Sequence, residues 1–124
     1  VYKRQKEFVV NVPTNRLVDK INRAAWLCPS KVNKFKKVGL TQTPSLKVKA
    51  PSVKECKVHF ECRLDWLRTA GDHDIIVGRV VAITVDKALA KAPLEKVKPK
   101  MKPIFYGAKR YYALGKFLGV RTYG

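Results

Sequence analysis

The 124-residue sequence is short of acid: nine Asp and Glu stand against 27 Lys and Arg, a formal net charge of +18. That excess excludes no fold, but it draws polyanions such as nucleic acid, anionic headgroups or phosphorylated cofactors. Cysteine is also scarce. Cys28, Cys56 and Cys62 are irregularly spaced and form no CxxC, which excludes a disulfide framework and gives no zinc motif. Reduced thiols point to the cytoplasm. No apolar run reaches the ~18 residues that a membrane span needs, so no membrane partner is expected. There is no P-loop, no GxGxxG, no metal-ligand cluster and no Ser-His-Asp arrangement.

What remains is a globular composition, 46% hydrophobic and 29% charged, sufficient for one modest domain with a core. The charge is uneven. Between Glu55 and Asp86 acids outnumber bases, and the longest alternating basic run is Lys96, Lys98, Lys100 and Lys102. A nucleic-acid reader concentrates charge on one motif, whereas these lysines occupy two segments. A solvated lysine-rich surface is therefore favoured, with a basic nucleic-acid-binding protein as the alternative. Lysine enrichment of the thermophilic kind brings glutamate with it, and glutamate is scarce.

The chain opens Val-Tyr-Lys-Arg-Gln, the translation of a common sequencing-library adaptor tail. Residues 1–5 are expected to be artefact, and 6–124 the C-terminal portion of a single domain whose first part is missing.

Glu7–Val12 reads as a buried strand ending at Pro13. Thr14 is an N-cap candidate for a helix through Leu17, Val18, Ile21, Ala24 and Ala25, stopping near Cys28-Pro29. Ser30 is placed to cap a second helix, Lys31 to Lys37, closed by Gly39. Leu46–Ala50 alternates apolar and basic, as a half-exposed strand does. From Cys56 the alternation sets Cys56, Val58, Phe60, Cys62 and Leu64 against Lys57, His59, Glu61, Arg63 and Asp65, a strand with one wet face. Ala70-Gly71-Asp72 is a turn. Ile75–Val85 is apolar on both faces and reads as a central strand, with Gly78 marking a bulge or a close approach. Residues 86–102 form a basic surface segment with a helical turn near Leu89, and two short strands follow at 103–107 and 110–114.

These pieces, in this order, resemble the flavin reductase-like family of FMN-binding split barrels. The resemblance rests on Glu7-Phe8-Val9-Val10-Asn11-Val12-Pro13, Lys34-Phe35 before Gly39-Leu40-Thr41, Glu61-Cys62, the Gly71-Asp72-His73-Asp74-Ile75-Ile76-Val77-Gly78-Arg79-Val80 stretch, and Pro103-Ile104-Phe105-Tyr106 with Tyr111-Tyr112. It implies a mainly β fold with one or two helices, a Greek-key split β-barrel, incomplete at the N-terminus. It implies a homodimer with FMN at the interface, with either NAD(P)H as co-substrate for flavin reduction or flavin-mediated electron transfer without nicotinamide activity, and a monooxygenase or other electron acceptor as partner. Much of the flavin site would lie in the missing part, leaving the fragment inactive. A barrel without its opening strands is also expected to fold poorly alone.

The same resemblance singles out His73 as the catalytic contact to the flavin or nicotinamide, with Asp72 orienting it and Gly71 allowing the turn. Taken as ordinary residues, the same three make a capped turn. Lys34 is a candidate for a phosphate, with Asn33 standing where the family often has Asp; Phe35 and Tyr111 complete the cofactor-binding set. Tyr106, Tyr111 and Tyr112 are placed to stack on a flavin or line the pocket rim, and read equally as a barrel-closing cluster, the favoured reading; Trp26 and Trp66 read as core or interface anchors, His59 as exposed, and the cysteines as small core residues.

Overall fold

The structure, a computed structural model, describes residues 6–27 and 33–122. The N-terminal five residues, Cys28-Pro29, the Ser30 cap and the Lys31 helix start lie outside the described residues.

Strand β1 (Glu7–Val12) pairs antiparallel with β4 (Val58–Ala70), which pairs antiparallel with β5 (His73–Val85). The sheet order is β1-β4-β5. Among the described residues β5 is therefore an edge and β4 is central, correcting the expectation for 75–85. Apolar side chains on both faces of β5 signalled a covered strand, but β4 already has β1 on its other side.

Two irregularities interrupt the β4–β5 ladder. Glu61 pairs with Ala82 and Cys62 with Val80, so Val81 is unmatched; Leu64 pairs with Gly78 and Trp66 with Val77, so Asp65 is unmatched. Gly78 is thus both beside a bulge and closely approached. A Cβ there would lie 2.5 Å from the Phe8 ring and 3.0 Å from Cys62 Cβ. The approaching group is the half-buried phenyl ring of Phe8 on β1.

Direct partners across the strands share a face. One face carries three apolar rows, Phe8–Cys62–Val80, Val10–Phe60–Ile83 and Val12–Val58–Val85; the other carries Glu7–Arg63–Arg79, Val9–Glu61–Ala82 and Asn11–His59–Thr84. The second face is wet only at one end, where Arg63 and Arg79 are exposed; the part around Glu61 and His59, contrary to the alternation, is not. That part is covered by the segment running from Ser45 into β3 (Ser52–Val53), whose partner is β2 (Gln42–Thr43). Val53 N–H donates to Asn11 Oδ1 (2.9 Å), His59 Nε2–H donates to the Val53 carbonyl (2.7 Å), and Leu46 and Lys47 N–H donate to Glu61 (2.8 and 2.6 Å). Residues 46–50 consequently form bends rather than the expected strand. Carboxylates take the N–H groups that a ladder would use, and the alternation reflects Val48 and Ala50 entering the core.

A 3₁₀ turn (Asn15–Leu17) leads into α1 (Val18–Ala25). Thr14 is buried and makes no side-chain cap; its carbonyl accepts from Leu17 N–H instead. Helix α2 (Lys34–Val38) starts later than expected, because Asn33 Oδ1 accepts from Lys36 N–H, an N-cap bond. Gly39 closes it at φ +76, a left-handed position that glycine reaches without strain. Helices α3 (Lys87–Ala90) and α4 (Leu94–Met101) occupy the basic segment, where a single turn was expected. The hairpin β6 (Ile104–Gly107) and β7 (Arg110–Ala113) follows as the sequence indicates. Helical segments thus outnumber the one or two expected, though all are short and the architecture remains mainly β.

Candidate functional site

Gly71 and Asp72 form the two-residue connection between β4 and β5. Gly71 has φ +65, a sign that hairpin turns of this length require. The turn thrusts His73 outward. Its Nδ1 lies 2.7 Å from Asp72 Oδ1, and the two side chains are 84% and 93% exposed. With Nδ1–H donating to the carboxylate, Nε2 faces outward as the free ring nitrogen. In one copy of the chain, then, His73 stands on a projecting tip.

Lys34 and Phe35 sit in the first turn of α2, both half-buried. Asn33 caps this turn as an aspartate would, so the departure from Asp leaves the local geometry intact. Tyr111 lies on β7 opposite Tyr106, ring centroids 5.1 Å apart. Both line a cavity of about 660 Å³, together with Pro13, Ile21, Trp26 and Ile104. The volume falls within the roughly 300–1,000 Å³ typical of cofactor pockets. Lys109 stands at its rim. Of the catalytic and cofactor-binding set expected from sequence, only Tyr111 lines this cavity; Lys34–Phe35 and the Gly71–His73 tip stand on separate elements.

Tyr106 and Trp26 belong to the cavity although neither stood in the cofactor-binding set. Trp26 is 84% exposed, at the end of α1, not a core anchor. The signal for both is the apolar-aromatic spacing of 104–112 read with the 3.6-residue stripe of α1. Trp66 is also exposed, with the Arg68 guanidinium 5.0 Å from its ring. His59 is half-buried rather than exposed, held between Thr84 Oγ1 (3.0 Å) and the Val53 carbonyl.

The two described cysteines offer no nucleophile. Burial, with Glu55 nearby, pushes the Cys56 thiol up to about 11, and burial alone raises Cys62; both are buried and free. Cys28 lies outside the described residues. Among the described residues no group of His, Cys, Asp and Glu could hold a metal, and no helix is long and apolar enough to cross a membrane.

The family profile described as flavin reductase like domain matches residues 1–115. The chain belongs to this family. A relative in Archaeoglobus fulgidus, itself uncharacterized, is 44% identical over 78 residues, covering 63% of this chain and 44% of the relative. Another in Aquifex aeolicus is 36% identical over 107 residues, 86% of this chain and 55% of that protein. The chain spans about half the length of the curated relatives it matches. Nitrilotriacetate monooxygenase component B from Bacillus cereus superposes with a TM-score of 0.84 at 26% identity, over 96% of this chain and 62% of that one. The flavoredoxin of Desulfovibrio vulgaris also reaches 0.84, at 24% identity, over 96% of this chain and 64% of its own. The fold is that of the flavin reductase-like split barrels, as the order of the motifs implied.

Proposed function

We propose that the intact protein is an FMN-binding flavin reductase-like oxidoreductase that oxidises NADH or NADPH, working in the cytoplasm as a homodimer. Family membership across residues 1–115 is the observation that carries this reading. A monooxygenase or another electron acceptor is the proposed onward partner; the component-B neighbour belongs by its name to a monooxygenase system.

The residues present suit a flavin in kind. Aromatic rings line an apolar cavity, and Lys34 and Lys109 offer cations for an anionic end. In one copy Lys109 stands at the rim of that cavity, whereas Lys34 and the His73 tip lie on other elements. A projecting His73 tip and an open tyrosine-lined cavity are features that a second subunit can bring together, which supports placing the cofactor between two copies. When bound, FMN supplies the electron-accepting ring chemistry.

The protein's contribution is binding and orientation. His73 is the proposed catalytic residue, its outward Nε2 meeting flavin or nicotinamide. Asp72 fixes the imidazole tautomer and direction through the 2.7 Å bond. Gly71 permits the turn that presents the pair. Lys34 attracts phosphate, while Phe35 and Tyr111 provide apolar wall.

The test is steady-state reduction of FMN by NADH or NADPH with the intact protein. Wild type is expected to turn over, and His73→Ala to lose about 10²-fold in kcat/KM, the scale set by misplacing a reacting partner. Wild-type protein with neither bound flavin nor nicotinamide oxidation would overturn the reading.

A further inference from the structure

The β6–β7 hairpin divides its four aromatics between two faces. Tyr106 and Tyr111 belong to the apolar cavity. Phe105 and Tyr112 pair on the opposite face, ring centroids 6.2 Å apart, and remain 65% and 51% exposed. The flavin reading uses neither. Phe105 has a prepared seat: a Cβ on Gly107 would lie 2.8 Å from its Cε1, so the missing side chain lets the ring lie close along the hairpin.

Exposed cations flank this pair along the chain. Lys102 closes α4 at φ 47, Lys109 occupies the hairpin turn at φ 62, and Arg110 opens β7. Lys96 and Lys100 stand one helical turn apart on α4. Residues 86–124 contain two acids, Asp86 and Glu95. Asp86 is committed to capping α3 through Ala88 N–H. Elsewhere Glu7, Glu55 and Glu61 likewise accept backbone N–H groups. The lysines are therefore not half of the Lys–Glu lattice by which thermophilic proteins accumulate charge. Nor, among the described side chains, do the two helices offer an apolar anchor for a bilayer, since Leu89 is buried and Val97 and Met101 are half-buried.

Exposed rings beside exposed cations match single-stranded nucleic acid, whose bases stack on aromatics while its phosphates meet lysine and arginine. We propose that the Phe105–Tyr112 face, with Lys102, Arg110 and the turn residue Lys109, which also stands at the rim of the tyrosine-lined cavity, binds single-stranded nucleic acid.

The test is fluorescence anisotropy of the intact protein with labelled 12-nucleotide oligo(U) and oligo(dT), a duplex of equal length, and phosphatidylserine vesicles. Single strands are expected to bind in preference to duplex, whichever sugar they carry, with log affinity falling against log salt at a slope of about −2 for three phosphate contacts. Phe105→Ala should weaken binding roughly 5- to 150-fold, and Phe105→Trp should retain it, which separates loss of stacking from loss of fold. The Lys102→Gln/Lys109→Gln pair should flatten the slope by about 1.4. NADH or NADPH oxidation by Phe105→Ala should match wild type, so failure here is distinguishable from failure of the flavin reading. Absence of oligonucleotide binding, duplex binding that ignores Phe105→Ala, or binding to vesicles alone would each overturn the proposal.

Discussion

Glu61 is the residue whose surroundings most depart from its type. It has no exposed surface, yet it stays a carboxylate. Burial alone would raise its pKa, but the N–H groups of Leu46, Lys47 and Val48, with His59 nearby, outweigh burial and hold it below the ordinary carboxylate value. The lowered folded value sets the sign of its pH dependence. Its stabilisation is present above the unfolded value of about 4.3 and is lost as pH falls through the lower folded value. Glu61→Gln, which turns an amide N–H₂ toward backbone donors, should cost about 2–3 kcal/mol at neutral pH. The two proteins should converge in stability toward strong acid. Urea melts at a series of pH values check both statements; equal stability at neutral pH would contradict them. Nothing local in the sequence marks this role. Parity along β4 assigns Glu61 to the solvated face, and the segment that clasps it lies about 15 residues upstream.

At the scale of elements, the hairpin of β4 and β5, the closing hairpin of β6 and β7 and the helix after Pro13 were legible, because each is bounded by strong punctuation: Gly71-Asp72, Gly107, Pro13. Leu46–Ala50 was not, because alternation reports burial of every second residue and a bend tied down by Glu61 and Glu7 satisfies it as well as a strand. The covering of the polar face and the edge position of β5 were likewise beyond local pattern, since both depend on which distant segment arrives. Gly78 was legible as a constraint but not by cause. The cause, the Phe8 ring, gives a direct prediction. Gly78→Ala drives a methyl into Phe8 and Cys62 Cβ, and should cost about 1–3 kcal/mol as overpacking does. Combining it with Phe8→Leu should recover part of that cost, a coupling measured by a double-mutant cycle of melting curves. Additive losses would place the constraint elsewhere.

At the scale of the molecule, the three apolar rows of the sheet are incompletely covered: Val10, Val80, Ile83 and Val85 are 44–56% exposed. Exposed apolar area of this kind marks an interaction surface, and a long edge strand beside it invites pairing. The split-barrel neighbours are longer than this chain, and closing a barrel removes such edges. Motif order was sufficient to name the family and to mark the Gly71–His73 turn, but the proposed site residues stand on separate elements of one copy, and local pattern along one chain carries no signal for the proposed second copy. Sedimentation velocity of the intact protein with FMN, followed at the flavin absorbance, tests the central claim most directly. FMN should sediment with a dimer at one molecule per chain, and less of it with the His73→Ala dimer. Flavin that sediments free, or with a monomer, would contradict a site built between two copies around His73.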